Sequence, residues 1–560
     1  MSISQSNLTQ PKYGYDTVVA VTQKALNNAI ETYYFDTNKF TSVSFYFIKD
    51  SSGNPQVIDV DDLKADYTSK IDPLSSTLTL ADKKTLSESE FCFAFSFTIG
   101  NPQDYLGTNY LTLNPGSNSV RYYLLCFQLQ VAFWNPDNKS WVDIKQTTAK
   151  EFNIYANINL QNVLDNNNLP VIVKEAVDTM GGTDVNVQQL IFDLDSAVIE
   201  PTSTLTGLDI GCSVFIPLMQ QFANAYFSTY TSQTDAIYYA LTTPNSASLV
   251  PSAMDWYVGS FVDSNGNAIA NPTQDQQDLA TLNYLFASNG DPLNPAAQFT
   301  WNWLEDNGIS HNPNMDSNAD VNKYDGAISI NRDAFAKYLQ NQLNGYVHHN
   351  CYKTYVKVWD SKDDTWTVGF DTLQAPLPPD VFQPYSPETG SKDILLFYNY
   401  ENKVSVNGMA NPADTFSTYL LVHLDVSIIG QSLIIFQQVI FNATQYVAAN
   451  SATYFTEPVN IGYWDVFNID VNDQGGLSFQ HLPEQSSTTD QSAPAQLPGY
   501  MNNISINQCI ESILTNSIQQ VAPPMAQQFI FPGGNAFTFR DAQFSEKSDI
   551  VCHVTYKAES

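Results

Sequence analysis

Apolar residues alternate with polar or small ones through several long stretches of the chain. Phenylalanine fills every second position from Phe91 to Phe97, and every odd position from Tyr123 to Phe133 is apolar. Strict alternation sets the apolar side chains of a strand on one face of a sheet and leaves the other face polar. These stretches predict antiparallel strands, and the pattern at 119–134 is far longer than the usual strand of about 5–6 residues.

Three further alternating stretches, at 152–160, 416–428 and 550–556, extend this prediction along the chain. Strands this long must twist and coil. A coiled antiparallel sheet has a concave apolar face, which a packed helix usually fills. The pattern therefore predicts an α+β fold in which long curved antiparallel β-sheets wrap around amphipathic helices.

Apolar residues recur at helical spacing in four places. A helix capped by Thr22 is predicted to run to about residue 34. A second begins at Pro217, which suits the first turn of a helix. A third is capped by Asn331, and a fourth covers 507–521 before two prolines end it.

A polar segment at 306–326 lacks any apolar period and separates two stretches with the same plan of helix, strands, helix and strands. We interpret it as a linker or surface loop between an N-terminal module at 1–305 and a C-terminal module at 327–560. The sequence AISINRDAF at 327–335 also echoes AVTQKAL at 20–26.

The composition fits a folded, β-rich protein and excludes some partners. The 560 residues are 43% hydrophobic and 13% aromatic but only 14% charged, against roughly 25% in an ordinary domain. The net charge is −33, and arginine occurs only at Arg121, Arg332 and Arg540. A nucleic-acid-binding protein needs a basic surface, so we expect no nucleic acid partner. Electrostatic docking on anionic membranes is disfavoured as well.

The N-terminal residues MSISQSNLTQPKYGYD have neither a basic start nor an apolar stretch, so no secretory signal is expected. No segment approaches the ~18 continuous apolar residues of a transmembrane helix. The six cysteines are scattered and form no C-x-x-C pair. We expect synthesis in the cytoplasm, with any release by a non-classical route or by lysis.

Four segments resemble the accessory proteins of clostridial neurotoxin gene clusters, which are the forty-seven-kilodalton protein and the OrfX proteins. The segments are YGYDTVVAVTQKALNNAI from residue 13, FTWNW at 299–303, AISINRDAFAKYL at 327–339 and the closing FPGGNAFTFRDAQFSEKSDIVCHVTYK. They span nearly the whole chain, and they are structural rather than catalytic motifs. Tyr15 stands where the family's opening motif has Trp, so an aromatic residue is kept.

This resemblance implies the tubular lipid-binding (TULIP) fold, present here as tandem TULIP-like modules. It also implies a role beside a protein toxin or neighbouring gene-cluster proteins, with insecticidal systems as one setting. No catalytic or lipid-contact residue of the family can be carried over to this chain.

Two patterns could suggest a metal site, and neither is complete. His348 and His349 are adjacent, so on a strand they would point to opposite faces. A polar loop offers oxygen atoms at alternate positions, but it has Val321 where a calcium loop needs Gly and Ala327 where it needs Glu. We expect no metal. The alternating residues of that loop are Asp316, Asn318, Asp320 and Asn322.

Paired carboxylates could catalyse glycoside hydrolysis. Asp193 and Asp195 are two apart on a predicted strand, about 6–7 Å by backbone rise. With 57 acidic residues, however, many such pairs arise by chance. No G-x-S-x-G, phosphate-binding or dinucleotide-binding motif is present. We therefore expect neither an enzyme nor a cofactor.

The apolar faces of two predicted strands are the candidate ligand site. A packed core is the usual reason for such stripes, and a groove wide enough for an acyl chain is the functional alternative, because ligand pockets are mostly apolar. Periodicity does not separate the two. The six candidate residues are Tyr123, Phe127, Val131, Phe416, Leu420 and Leu424.

We therefore hypothesise a non-enzymatic protein that binds a lipid or another hydrophobic ligand as an accessory component of a bacterial toxin system. One alternative is a scaffold that binds a toxin or partner protein and has every groove filled by side chains. A less favoured alternative is a carbohydrate-binding β protein that uses its many Tyr, Trp and Asn side chains.

Overall fold

The chain is mostly antiparallel β-sheet with few helices. The computed structural model describes residues 2–35, 42–100, 109–116, 119–145, 152–163, 186–199, 217–218, 221–222, 241–243, 249, 251–288, 290–304, 324–347, 353–358, 366–371, 382–384, 394–473, 475–493, 507–509, 511, 529–530 and 537–556. The predicted antiparallel sheets are therefore confirmed.

The described elements comprise 25 strands and five α-helices. The strands are β1 Thr17–Thr22, β2 Val43–Lys49, β3 Pro55–Ile58, β4 Phe91–Ile99, β5 Leu111–Leu113, β6 Ser119–Asn135, β7 Ser140–Lys145, β8 Phe152–Val163, β9 Asn186–Ile199, β10 Leu241–Thr243, β11 Pro251–Gly259, β12 Thr281–Ser288, β13 Gly326–Ile330, β14 Lys353–Val358, β15 Trp366–Asp371, β16 Phe382–Pro384, β17 Ile394–Asn407, β18 Thr415–Ile429, β19 Ser432–Val447, β20 Ala452–Val471, β21 Gly476–His481, β22 Ser487–Asp490, β23 Phe529–Ile530, β24 Phe537–Phe544 and β25 Ile550–Tyr556. The helices are α1 Gln23–Phe35, α2 Val60–Asp62, α3 Leu80–Glu88, α4 Gln274–Asp278 and α5 Arg332–Val347, with a 3₁₀ turn at Ile3–Gln5 and a π-helical turn at Leu63–Tyr67.

Six strands form a central sheet in the order β11-β12-β1-β13-β25-β24. β1 and β13 come from opposite halves of the chain and pair directly, from Thr17 opposite Ile330 to Val21 opposite Gly326. Both strands are buried along their whole length, which explains why their sequences are apolar runs without alternation. A Cβ atom on Gly326 would lie 2.1 Å from the carbonyl oxygen of Ala20, so only glycine permits this close pairing.

The two middle strands of the central sheet, β1 and β13, are each followed by a helix. α1 follows β1, and Thr22 Oγ1 accepts a 3.2 Å hydrogen bond from the N–H of Ala25. α5 follows β13, and Asn331 Oδ1 accepts a 2.8 Å hydrogen bond from the N–H of Asp333. Both predicted caps are confirmed. The similar sequences at 20–26 and 327–335 each run from one strand of the β1–β13 pair into the helix that follows it.

The N-terminal sheet has the order β10-β9-β8-β6-β4-β2-β3, and β5 and β7 also pair with β6. It contains the predicted strands at 91–97, 119–134 and 152–160. A second apolar cluster covers part of its outer face, where Tyr46 and Phe91 pack with Leu63 and Leu86 from the helical segment between β3 and β4.

The C-terminal sheet has the order β16-β17-β18-β19-β20-β21-β23, and β22 pairs with β20. Its four middle strands, β17 to β20, are 14, 15, 16 and 20 residues long. The hairpin β14–β15 is a separate two-stranded sheet that contacts β17 and β18.

One continuous apolar core joins the three sheets and both long helices. The third predicted helix is confirmed as α5, whose apolar residues Phe335, Tyr338, Leu339 and Leu343 are all buried. Residues 217–218, 221–222, 507–509 and 511 are helical, and the rest of the second and fourth predicted helices lies outside the described residues. None of the helices in the described ranges is long and apolar enough to cross a membrane. Representative core residues are Val19, Phe95, Phe335, Leu339, Leu420 and Phe539.

An aromatic cluster covers the outer face of the central sheet and brings together the segments that carry the family resemblance. The ring of Tyr13 lies 5.1 Å from that of Phe299 and 5.2 Å from that of Trp301. Tyr15 donates a 2.8 Å hydrogen bond to the carbonyl of Pro295 and accepts a 3.0 Å bond from the N–H of Ala297. Tyrosine at position 15 therefore keeps the aromatic packing and adds two hydrogen bonds.

Candidate hydrophobic-ligand site

The inner face of β18 carries three of the six predicted ligand-site residues. Phe416, Leu420 and Leu424 share a face, because residues four apart on a strand point the same way. Each is at most 1% exposed, and all three belong to the continuous core. From Phe416 to Leu424 this apolar stripe extends about 27 Å along the strand.

Two glutamines on the neighbouring strand β19 interrupt this apolar face. Gln445 lies directly opposite Phe416, and Gln437 lies directly opposite Leu424. Both glutamines are 1% exposed, yet Gln445 Oε1 and Gln437 Nε2 have no hydrogen-bond partner. A buried polar atom without a partner costs about 1–3 kcal/mol. Each end of the stripe therefore carries a polar group that the packing of the protein does not account for.

The hairpin β14–β15 closes the end of the stripe beside Gln445. The ring of Trp366 stacks on Phe416 with centroids 5.5 Å apart. Thr354 Oγ1 lies 3.1 Å from Thr418 Oγ1, which fixes the hairpin to β18. Trp366 Nε1 is also buried without a partner. An N–H donor and a carbonyl acceptor are therefore both available at this end.

Sequence reasoning missed the two glutamines, although a signal for them exists. The β19 sequence places Gln437 at the same parity as Ile435 and Val439, which are buried in the core. A polar residue at an inner-face position of an alternating strand is unusual. The adjacent Gln438 has the opposite parity and is not buried, so the pair Gln437–Gln438 resembles an ordinary polar break in the strand.

The stripe predicted on β6 is wrong as a single face. Ser96 pairs with Gln130 and Thr98 pairs with Phe127, so β6 holds one residue more than β4 between these pairs. Gln128 has a φ of 50°, which marks the bulge. The extra residue reverses the alternation, so Tyr123 and Phe127 lie on the face opposite to Val131.

The three predicted β6 residues therefore do not form one site. Val131 packs in the continuous core, whereas Tyr123 is buried outside it and Phe127 is only partly buried. A Cβ atom on Gly100 would lie 2.1 Å from the ring of Phe127, so this ring packs on the Gly100 backbone. The structure brings together only the three candidate residues of β18.

The other predicted patterns fall mostly outside the described residues. His348, His349 and the polar loop from Asp316 to Asn322 are among the undescribed residues. Asp193 and Asp195 lie on β9, whose side chains are not described. Across the described ranges, no group of three or more His, Cys, Asp or Glu side chains could hold a metal ion.

Two histidine–aspartate pairs on the C-terminal sheet raise the question of a catalytic triad. His423 Nε2 lies 2.9 Å from Asp425 Oδ2. His481 Nε2 lies 3.1 Å from Asp465 Oδ1 and 3.0 Å from Ser486 Oγ. In a Ser-His-Asp triad the two partners contact different ring nitrogens, whereas here they meet the same nitrogen. This arrangement is not a triad.

The described cysteines are poor nucleophiles, because a thiol must lose its proton to react. Burial raises the pKa of Cys92 to about 11 and that of Cys509 to about 12. Burial likewise raises the pKa of the fully buried Cys126 well above its usual value.

Comparison with known proteins gives matches to solved structures alone: no family model and no curated protein sequence matches the chain. P47 from Clostridium botulinum A2 matches 97% of this chain and 98% of its own, with 11% identity and a TM-score of 0.40. P47 of Clostridium botulinum E1 matches 97% and 99%, with 10% identity and a TM-score of 0.39. A lipopolysaccharide binding protein matches 97% and 99%, with 12% identity and a TM-score of 0.30.

The resemblance to the forty-seven-kilodalton protein indicated by the sequence is confirmed over nearly the full length of the chain. At these TM-scores and identities, the similarity carries no information about a ligand or a partner of this chain.

Proposed function

We propose that the chain binds an uncharged lipid along the inner face of the C-terminal sheet and catalyses no reaction. One observation supports this most directly: an apolar stripe about 27 Å long has a buried, unpartnered amide group at each end. Lipid-binding sites are mostly apolar and fix their ligand by a few polar groups. Gln437 and Gln445 have the position and chemistry for that role.

The polar groups at this face favour an uncharged lipid head. The side chains of Gln437, Gln445 and Trp366 carry no charge. A carboxylate or phosphate placed at either end of the stripe would lose its hydration without gaining a counter-charge from these side chains, which is costly. An ester carbonyl can accept a hydrogen bond from Gln437 Nε2, and a hydroxyl group can donate one to Gln445 Oε1. A monoacylglycerol or diacylglycerol combines both groups with acyl chains.

The same proposal includes tandem TULIP-like modules, each with a helix against a curved sheet. In its support, α5 contacts β16 and β17, and the ring of Phe335 stacks over that of Phe479 in β21 at 6.1 Å. We further propose a role as an accessory protein of a bacterial toxin system, with a toxin or gene-cluster protein as partner. The four sequence segments that resemble such accessory proteins support this role.

The first experiment is native mass spectrometry of gently purified full-length protein, followed by organic extraction of bound molecules. The proposal predicts an extractable neutral lipid at defined stoichiometry. A correctly folded protein that is empty, and that takes up no fluorescent diacylglycerol, would contradict it. Side chains would then fill the whole inner face, so that result would favour the scaffold alternative, and protein partners would then be sought by co-purification.

Adjacent glutamines on opposite faces of β19 provide a matched pair of variants. We expect Gln437→Leu to lower the uptake of NBD-labelled diacylglycerol several-fold, because the inner-face donor is lost. Gln438→Leu changes the outer face and should leave uptake unchanged. Equal uptake by the two variants and the unmodified protein would show that Gln437 does not contact the ligand.

A further inference from the structure

The outer face of the C-terminal sheet carries two aromatic side chains that the lipid proposal does not use. Phe436 on β19 lies directly opposite Trp464 on β20, and the ring centroids are 5.3 Å apart. Trp464 is 39% exposed, and Phe436 is only partly buried. Single exposed hydrophobic side chains are ordinary, whereas adjoining exposed aromatic rings edged by polar side chains are typical of a binding surface.

A glycine in β20 allows side chains beside the aromatic pair to lie unusually close to the backbone. Gly462 precedes Trp464 by two positions on β20 and lies opposite Gln438 on β19. A Cβ atom there would lie 2.8 Å from Thr489 Oγ1 and 3.4 Å from the ring of Phe436. Glycine thus allows the Phe436 ring to lie low over the sheet and to form a shallow platform with Trp464.

Polar side chains surround this platform and are held in place by one another. His423 Nε2 lies 2.9 Å from Asp425 Oδ2 on one side of the aromatic pair. Gln438, which pairs with His423 across β18 and β19, donates a 3.1 Å hydrogen bond through Nε2 to Asn460 Oδ1. Together we call these six residues the outer aromatic patch: His423, Asp425, Phe436, Gln438, Asn460 and Trp464.

We propose that the outer aromatic patch binds a neutral glycan. The C–H groups on one face of a pyranose ring are weakly positive and apolar, so they stack on the electron-rich face of an aromatic ring. The hydroxyl groups around the ring then reach planar side chains that both donate and accept hydrogen bonds, which Asn and Gln do. Exposed aromatic rings beside Asn and Gln side chains therefore match both the C–H face and the hydroxyl groups of a sugar.

The charge of the patch selects against other ligands. Asp425 is its acidic member, and Glu457 accepts a 2.6 Å hydrogen bond from Asn460 at its edge. Along the described strands, the nearest lysine or arginine in the pairing is Lys403, opposite Tyr419 and four pairs away from His423. An anionic lipid head or a phosphate would meet carboxylates here, with no neighbouring lysine or arginine on these described strands to offset the repulsion. An uncharged polyol meets no such repulsion.

The experiment measures binding of the full-length protein to four neutral oligosaccharides, cellohexaose, xylohexaose, mannohexaose and chitohexaose, by isothermal titration calorimetry. We expect at least one to bind. Trp464→Ala should weaken that binding tenfold or more, since exposed Trp side chains commonly dominate a binding site. Gln438→Leu should weaken it several-fold.

Phe455→Ala is the matched control, because Phe455 is 56% exposed on the same strand and about 30 Å from Trp464. It should bind the glycan as the unmodified protein does. No binding to any of the four sugars would overturn the proposal, as would equal affinity of the Trp464→Ala and Phe455→Ala variants. Loss of self-association in Trp464→Ala without an effect on sugar binding would instead identify the patch as a contact between copies.

Discussion

The carboxylate of Asp549 accepts a 2.7 Å hydrogen bond from the backbone N–H of Leu8, 541 positions away in the sequence. It also accepts a 2.9 Å bond from Ser6 Oγ and a 3.1 Å bond from the N–H of Arg332, the first residue of α5. Asp549 is fully buried. One carboxylate therefore joins the N-terminal segment, the turn between β24 and β25, and the start of α5.

The buried carboxylate of Asp549 predicts that the protein is more stable in mild acid than at neutral pH. Burial raises the pKa of Asp549 to about 6, although its three hydrogen bonds act in the opposite direction. Burial also raises the pKa of Asp16 and of Asp333. Between pH 4 and pH 6 the folded state then holds a proton that the unfolded chain releases. The free energy of unfolding should therefore fall by about 3 kcal/mol for Asp549 as the pH rises through this window.

Urea unfolding between pH 4 and pH 7.5 measures this effect. Asp549→Asn should flatten the dependence on pH, because its amide cannot titrate. Asp263→Asn is the control: that carboxylate is exposed in a turn where hydrogen bonds from Asn267 and Asn265 lower its pKa, so its loss cannot remove the gain in acid. An unchanged slope in Asp549→Asn would assign the effect to other groups.

Local sequence rules predicted the parts of the fold that depend on neighbouring residues. Thr22 and Asn331 are recognisable as helix caps because each carries a side-chain oxygen and stands just before a stretch with helical spacing of apolar residues. The long strand β18 is recognisable because its apolar residues keep one parity from Phe416 to Ile428. Each of these features is encoded within a single short stretch of the sequence.

The features that decide the candidate site depend on contacts between distant residues. The bulge at Gln128 arises from the pairing of β6 with β4, and glutamine has no particular preference for a positive φ. The alternation of apolar residues continues through the bulge, so the sequence hides the change of face. The stacking of Trp366 on Phe416 likewise joins strands that periodicity alone cannot relate.

Phe222 should be a main anchor of the apolar core at the N-terminal sheet. It is fully buried, stacks on Phe95 with centroids 4.1 Å apart, and meets Phe45 and Phe97 edge-on at 5.7 Å. Phe222→Ala should lower the free energy of unfolding by about 3–5 kcal/mol. Phe455→Ala, at an exposed position, should change it by less than about 0.5 kcal/mol. Urea titration of both variants measures the difference, and equal losses would show that the aromatic cluster is not tightly packed.

The two halves of the chain should not fold apart from each other. β1 and β13 pair over five residues, and Asn331 donates a 2.9 Å hydrogen bond through Nδ2 to the carbonyl of Tyr15. Fragments 1–305 and 327–560 made separately would each expose a buried strand edge, which favours aggregation. We expect both to be insoluble or to lack cooperative unfolding by circular dichroism, and co-expression to restore a soluble complex. A single fragment that unfolds cooperatively would establish independent modules.

The unpartnered amide of Gln437 predicts a gain in stability on its removal. Leucine is close to glutamine in size and would complete the apolar face between Leu424 and Tyr463, which lie opposite Gln437 on either side. Gln437→Leu should raise the free energy of unfolding of the ligand-free protein by about 1–2 kcal/mol, because an unpaired buried group is lost. Gln438→Leu should give no such gain, since it removes the hydrogen bond to Asn460. Urea unfolding of delipidated protein tests both variants. A loss of stability in Gln437→Leu would mean that its amide is already satisfied within the protein, and the polar anchor of the proposed lipid site would then have to lie at Gln445.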